Sequence, residues 1–304
     1  MRRRIASLPP WTLAVAAMLS IQFANALSVG VLREVGPAGT AWLRMCFGAA
    51  FLWMIARPQF SSISRKDLPA LLILGVATGF MTTFFLGAVQ RIDLGTAVAI
   101  EFLGPLAVAG IMSKNRAALL WPGLALCGVV LLTEPWAGKI DLAGVGLALL
   151  SGVCWGLYNV YTQRVGDRFS GISGLSLTIP IAAIATAPVG LPQVIHGNLL
   201  WWVLLAAAGI ALITPVIAFG LEMLALRRMN HTAFGTLLSI EPAFGVLMGL
   251  LVLGQSPAAL QLLGIAIVVT AGAAAQRGGA RADPQGPEEI IEHPIPENPT
   301  QERG

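Results

Sequence analysis

Long apolar segments follow one another along this chain and are separated by short stretches that hold most of its charge. Only 11% of the residues are charged, whereas soluble domains carry about 25%. An apolar segment of about 20 residues can cross a bilayer as a helix, which satisfies its own backbone hydrogen bonds. We therefore predict an all-α membrane protein with ten transmembrane helices. The predicted spans are approximately 11–32, 38–56, 68–89, 95–112, 117–132, 142–163, 172–191, 199–226, 231–253 and 260–275.

Lysine and arginine are unevenly distributed between the loops that join these spans. With the N-terminus in the cytoplasm, fifteen of the 19 basic residues fall on the cytoplasmic side, three fall outside, and Arg44 lies within a span. Cytoplasmic loops of membrane proteins carry such an excess, so both termini are predicted to be cytoplasmic. The first span is long enough to remain uncleaved. Since the basic residues follow topology, we expect no nucleic-acid partner.

One motif occurs twice and relates two halves of the chain. Residues 95–101 read G-T-A-V-A-I-E and residues 235–241 read G-T-L-L-S-I-E, at an offset of 235 − 95 = 140. The alignment relates the first five spans to the last five, and because five is odd, the halves enter the membrane in opposite orientations. We predict two inverted five-helix repeats. The predicted boundaries are 1–10 for a cytoplasmic N-terminus, 11–136 and 137–276 for the repeats, and 277–304 for a disordered acidic cytoplasmic tail.

Each copy of the motif ends in a glutamate, Glu101 or Glu241, inside an apolar run. Such a carboxylate costs roughly 2.5–3.5 kcal/mol on insertion scales and usually marks an ion or substrate pathway. Pro105 and Pro242 predict helix breaks beside these glutamates, and interrupted spans at corresponding positions indicate a transporter site. The alternative is a packing motif, in which the glycines permit close helix approach. Packing does not require a carboxylate, which favours a role in substrate or proton translocation.

Other polar residues within spans are candidates for the same site. Arg44 could bind a substrate carboxylate in a bidentate pair, or it could be a fixed partner of Glu101 or Glu241. Both interpretations remain open. Glu222 lies five residues before Arg227, and we expect a structural pair near the cytoplasmic surface. A set of amide and aromatic side chains is predicted to line a cavity, with interhelical hydrogen bonding as the alternative: Gln22, Asn25, Trp155, Tyr158 and Asn159.

Sequence motifs for catalysis are missing from this chain. It has three histidines and neither H-E-x-x-H nor G-x-S-x-G, and no ATP-binding P-loop. The three cysteines lie in apolar runs and are expected to pack as small core residues. We therefore predict no enzyme, no metal, no cofactor and no direct ATP coupling. The odd-numbered inverted repeat fits a carrier better than a channel.

The stretch 95–108 (G-T-A-V-A-I-E-F-L-G-P-L-A-V) and the run from Leu221 to Ala243 resemble bacterial threonine/homoserine exporters. These exporters belong to the EamA branch of the drug/metabolite transporter superfamily. The resemblance covers residues 10–276, and the acidic tail departs from it. It implies a secondary active exporter of small hydrophilic amino acids in the bacterial inner membrane, driven by proton antiport with alternating access. Related branches move sugars, nucleotides, purines and drugs, so a carrier or facilitator for another small metabolite or drug is the alternative.

A zwitterionic amino acid needs an acceptor for its ammonium group and a donor for its carboxylate. We expect Glu101 or Glu241 to supply the first and Arg44 the second. Burial disfavours the charged form of a carboxyl group, so a buried glutamate could exchange a proton for the substrate. The expected partners are therefore the amino acid, protons and the lipid bilayer. The sequence leaves open whether the chain forms a homodimer.

Overall fold

The computed structural model describes residues 9–56, 63–112, 116–134, 136, 141–169, 172–226, 228–229 and 231–278. Residues 1–8 and nearly all of the predicted tail, 279–304, lie outside this part. The described residues form helices without any strand, which confirms the all-α prediction. The helices are α1 (Pro10–Ala56), α2 (Leu68–Val89), α3 (Leu94–Glu101), α4 (Leu103–Met112), α5 (Leu120–Thr133), α6 (Leu142–Arg168), α7 (Ser173–His196), α8 (Trp201–Ala211), α9 (Ala218–Leu226), α10 (His231–Leu238), α11 (Glu241–Leu253) and α12 (Ala259–Gly278).

Among the described residues, seven helical stretches are long and apolar enough to cross a membrane. Two shorter apolar helices, Leu120–Thr133 and Ala259–Ala275, accompany them. Large apolar side chains also lie exposed on the outer surface, among them Ile111 and Trp201, as expected of a surface that faces lipid. The seven stretches are Pro10–Ala56, Leu68–Val89, Leu94–Ile111, Leu142–Gly166, Ser173–His196, Trp201–Ala225 and Phe234–Leu253.

Helix α1 contains two of the predicted spans, 11–32 and 38–56. Its 47 residues would extend about 70 Å as one straight helix, more than twice the roughly 30 Å hydrocarbon core. Gly36 interrupts it with φ 70° and ψ 170°, a conformation that favours glycine. The side chain of Gln193, on α7, fixes this turn because its Oε1 accepts the backbone N–H groups of Ala38 (2.9 Å) and Gly39 (3.0 Å).

Glycines bring α6 close to α3 and α4. A Cβ atom placed on Gly152 of α6 would lie 2.7 Å from the carbonyl oxygen of Glu101, and one placed on Gly104 of α4 would overlap the carbonyl of Gly152. A Cβ on Gly156, one turn later in α6, would meet the side chain of Val108 at 2.9 Å. This contact between helices places the end of α3, and with it Glu101, directly against α6.

Two further close contacts join segments that the predicted repeat relates to each other. Between α3 and α11, Gly95 faces Val246, and a Cβ on Gly245 would lie 2.9 Å from the side chain of Val98. Between α5 and α12 the contact is reciprocal. A Cβ on Gly128 would lie 2.6 Å from the carbonyl oxygen of Gly264, and a Cβ on Gly264 would lie 2.6 Å from that of Gly128.

Candidate functional site

Two helix interruptions lie at the glutamates of the repeated motif. Helix α3 ends at Glu101 and α4 begins at Leu103, so that Pro105 falls in the first turn of α4. Helix α10 ends at Leu238 and α11 begins at Glu241, so that Pro242 also falls in a first turn. The first turn is the part of a helix that tolerates proline, since its N–H groups lack intrahelical partners. Each glutamate thus lies beside a backbone break.

A third interruption separates α8 from α9. Thr214 adopts φ −139° and ψ 118° within a π-helical turn at Leu212–Ile217, and Pro215 follows it. Gly48 of α1 leaves room for this proline, because a Cβ there would lie 2.7 Å from the proline ring. The predicted span 199–226 contains this interruption, which Pro215 could have indicated.

All three interruptions contribute to one cavity, which has a volume of about 70 Å³. Seven of the eight predicted translocation and cavity residues line it, and they come from both halves of the chain. Asn159 is half-buried on α6, outside the described cavity wall. The apolar part of the wall includes Met18, Phe85, Phe219 and Phe234. The polar part consists of Gln22, Asn25, Arg44, Thr82, Glu101, Tyr158, Thr214, Glu222 and Glu241, and Trp155 lies among them.

A chain of hydrogen bonds joins the guanidinium group to one glutamate through two amides of α1. Arg44 Nη1 donates to Asn25 Oδ1 (3.2 Å), and Asn25 Nδ2 donates to Gln22 Oε1 (3.4 Å). Gln22 Nε2 then donates to Glu241 Oε1 (3.0 Å). These four side chains are all buried. Two atoms at the ends of the chain, Arg44 Nε and Glu241 Oε2, are buried without a hydrogen-bond partner among the described residues.

Arg44 is held by neutral groups rather than by an acid. Its side chain is 2% exposed, and its Nη1 also donates to Ser28 Oγ at 3.3 Å. Within the part of the chain that the structure describes, no carboxylate lies within ion-pairing distance of it. The structure thus does not show the fixed pair with Glu101 or Glu241. Because burying an unpaired cation costs free energy, this guanidinium group is suited to an anionic ligand that binds reversibly.

Glu101 meets a serine that has one hydrogen and two potential acceptors. Ser151 Oγ lies within hydrogen-bonding distance of Glu101 Oε1 and of the Met81 carbonyl oxygen, the latter at 2.8 Å. A hydroxyl group donates only one hydrogen bond. Both contacts can be made when the Ser151 hydrogen is shared between the two acceptors, or when a protonated Glu101 donates to Ser151 and Ser151 donates to Met81. This arrangement can therefore accommodate Glu101 with or without a proton.

Glu222 lines the cavity, whereas we expected it to form a structural pair near the cytoplasmic surface. Glu222 is half-buried on α9 and lines the cavity together with Tyr158. The ring centroids of Tyr158 and Phe219 lie 6.1 Å apart. The expected partner of Glu222, Arg227, lies outside the described residues. The signal that could have identified Glu222 is the same as for the other two glutamates, namely an acid within an apolar run.

The described cavity wall brings together three carboxyl groups and one guanidinium group. No cluster of described residues has the composition of a metal site. The carboxyl groups can accept hydrogen bonds from a cation or carry protons, and Arg44 can donate to an anion. The wall is thus chemically suited to a small solute with both charges.

Similarity to known proteins extends over most of the chain. Residues 142–274 match the model of the EamA-like transporter family. The chain is 33% identical over 264 residues to the threonine/homoserine exporter RhtA of Escherichia coli (strain K12), covering 86% of this chain and 89% of that protein. The chain belongs to the EamA-like transporter family. This confirms the family resemblance given by the repeated motif and makes the chain a transporter of a small molecule.

Two further similarities agree with membership of the family. The RhtA exporter of Salmonella typhimurium (strain SL1344) is 33% identical over 271 residues, covering 87% of this chain and 91% of that protein. A protein of known crystal structure shares the fold, with a TM-score of 0.60 at 17% identity over 88% of this chain and 97% of that chain. With the apolar helices, the exporter relatives make this chain a multi-pass protein of the bacterial inner membrane.

Proposed function

We propose that this transporter is a secondary active exporter of small hydrophilic amino acids, similar to threonine or homoserine, and that it works by proton antiport. The observation that carries this proposal is the cavity in which Arg44 and Glu241 each keep a polar atom without a described partner. Similarity to the threonine/homoserine exporters supports the substrate class. A bidentate pair with Arg44 would hold the substrate carboxylate, and Glu101 or Glu241 would accept its ammonium group.

Proton coupling follows from competition for the same carboxyl groups. An ionised glutamate binds the ammonium group, whereas a protonated glutamate has lost the charge that attracts it. Protons that enter from outside would neutralise the glutamate, release the amino acid outward and favour return of the empty carrier. Ser151 is placed to serve both halves of this cycle, because it can donate to an ionised Glu101 or accept from a protonated Glu101 while it donates to Met81.

The proposed scaffold has ten spans in two inverted five-helix repeats, 11–136 and 137–276, with both termini in the cytoplasm. The turn at Gly36 supports a division of α1 into two spans. The family model matches 142–274, which is close to the proposed second repeat. The reciprocal contact between Gly128 and Gly264 supports a two-fold relation between α5 and α12. Rocking of the two repeats about the cavity would provide alternating access.

Transport by the reconstituted full chain tests this proposal. Liposomes would be loaded with labelled threonine or homoserine, and flux would be measured with and without an imposed proton gradient. We expect wild type to move both amino acids against their concentration gradient when the proton gradient is present. Glu101→Gln and Glu241→Gln would abolish the gradient-driven flux, because glutamine cannot carry a proton. Glu134→Gln, the same change at an acid outside the cavity wall, is the matched control.

Exchange of labelled for unlabelled threonine separates binding from coupling. A glutamine variant that still exchanges threonine but no longer responds to the proton gradient has lost only the coupling. If both glutamine variants keep gradient-driven flux, the proposed role of the glutamates is wrong. If folded wild type moves neither amino acid, the substrate class is wrong and another small metabolite takes its place.

A further inference from the structure

A second charged depression lies away from the cavity, between the N-terminus of α2 and the C-terminus of α6. We name it the basic groove, and its volume is about 340 Å³. Its wall carries three basic side chains, Lys66, Arg164 and Arg168, and the carboxylate of Asp67. Asp67 is already engaged, since it accepts from Arg168 Nε (3.3 Å) and from the backbone N–H of Ser64 (2.9 Å). Lys66 and Arg164 therefore give the groove an excess of positive charge.

Arg164 is held in a position that leaves its hydrogen-bond donors available. Its guanidinium carbon lies 5.0 Å from the centre of the Tyr161 ring, a cation–π contact. Stacking uses the face of the guanidinium group, whereas its N–H donors lie in the plane of the group and point outward. A planar fork of donors matches the oxygen atoms of a phosphate group. This geometry favours a phosphate over a monatomic anion.

The groove also has an apolar side that lies at the end of the membrane spans. The apolar stretch Leu68–Val89 begins beside the groove, and the apolar stretch Leu142–Gly166 ends beside it. Phe169 forms part of its wall, and Leu72 is 47% exposed on the neighbouring surface of α2. A ligand in this groove would therefore touch charged groups at one end and lipid-facing apolar surface at the other.

We propose that the basic groove binds the phosphate headgroup of an anionic phospholipid, with the acyl chains along the exposed apolar face of α2. Basic pockets between transmembrane helices bind such headgroups in other membrane proteins. The depression at Glu34, Arg91 and His196 offers a contrast within the same molecule. In that depression Arg91 is paired with Asp141 at 3.3 Å, and Glu34 forms part of the wall. The described residues of that wall therefore carry no comparable excess of positive charge.

Native mass spectrometry and thermal unfolding of the purified full chain test this inference. The chain in neutral detergent would be titrated with phosphatidylglycerol and, separately, with phosphatidylcholine of the same acyl chains. We expect phosphatidylglycerol to bind and to raise the unfolding temperature, and phosphatidylcholine to do so much less. Lys66→Gln and Arg164→Gln would each weaken phosphatidylglycerol binding about fivefold. Arg33→Gln, at an exposed arginine outside the groove, would leave it unchanged.

Further arms separate the two sources of phosphate and protect against a misfolded variant. Inorganic phosphate and glycerol phosphate would be added at millimolar concentration in place of the lipid. If the soluble phosphates stabilise the chain as well as the lipid does and also displace the lipid, the groove is a soluble-anion site and the lipid assignment is overturned. It is also overturned if the glutamine variants bind phosphatidylglycerol like wild type. Arg164→Lys, which keeps the charge but loses the fork, would retain part of the binding.

Discussion

Gly152 of α6 offers the sharpest test of how closely the helices around Glu101 are packed. A Cβ there would lie 2.7 Å from the Glu101 carbonyl oxygen, whereas ordinary contact begins at 3.4 Å. The helices would have to separate by 3.4 − 2.7 = 0.7 Å, and the atom in the way is backbone rather than a movable side chain. Overpacking of this kind costs about 1–3 kcal/mol. Gly152→Ala should therefore lower stability by about that amount, despite the better helix propensity of alanine.

Two glycines of the same helix provide matched controls. A Cβ on Gly146 or on Gly166 would meet nothing within 4 Å. Alanine at either position should leave stability unchanged or raise it by up to about 1 kcal/mol through helix propensity. Reversible unfolding in mixed micelles, followed by the fluorescence of tryptophan, would measure all three variants. If Gly152→Ala is as stable as Gly146→Ala, the close contact of α6 with α3 is refuted.

Two further predictions concern the hydrogen-bond chain and a helix cap. Gln22→Leu removes the N–H group that donates to Glu241. A buried oxygen of Glu241 would lose its donor, which should lower the free energy of unfolding by about 1–3 kcal/mol and suppress threonine transport, whereas Ser20→Ala should do neither. Equal transport by both variants would contradict the proposed hydrogen-bond chain. The backbone N–H of Gly144 lowers the pKa of Asp141, so the stabilisation is present above the unfolded pKa of about 3.9 and is lost as pH falls through the folded pKa. Asp141→Asn should therefore lower the unfolding temperature more at about pH 7 than at about pH 3, and an equal shift at both would count against this assignment.

Features that depend on local sequence were predictable here. The apolar runs identify the helices because each must satisfy its own backbone groups. The two glutamates are visible as isolated acids in such runs, and the prolines beside them as breaks. The boundaries were less accurate, since α6 continues to Arg168 rather than residue 163. A helix does not end where the apolar run ends, because its charged last turn can extend past the membrane.

Features that depend on how helices rotate and meet were not predictable. Glu222 lines the cavity because of the way α9 turns after the interruption at Thr214, and no sequence period specifies that rotation. The partners of Arg44 are Asn25 and Ser28, which both precede the turn at Gly36 in α1, whereas Arg44 follows it. Opposite charge alone suggested a glutamate as the partner of Arg44, because a sequence does not specify the distances between side chains on different spans. The contact of Ser151 with Glu101 was not predictable, because a serine in a helix usually forms a hydrogen bond with a backbone group of the same helix.

The contact between Gln193 and the turn at Gly36 has a consequence for the history of the chain. A side chain from the second half accepts two backbone N–H groups from the first, across 155 residues of sequence in the case of Ala38. If the halves arose by gene duplication, the first now depends on a side chain of the second for this turn. A substitution that removes Gln193 Oε1 would leave the N–H groups of Ala38 and Gly39 without this acceptor, so the turn between the first two predicted spans depends on a residue far along the chain.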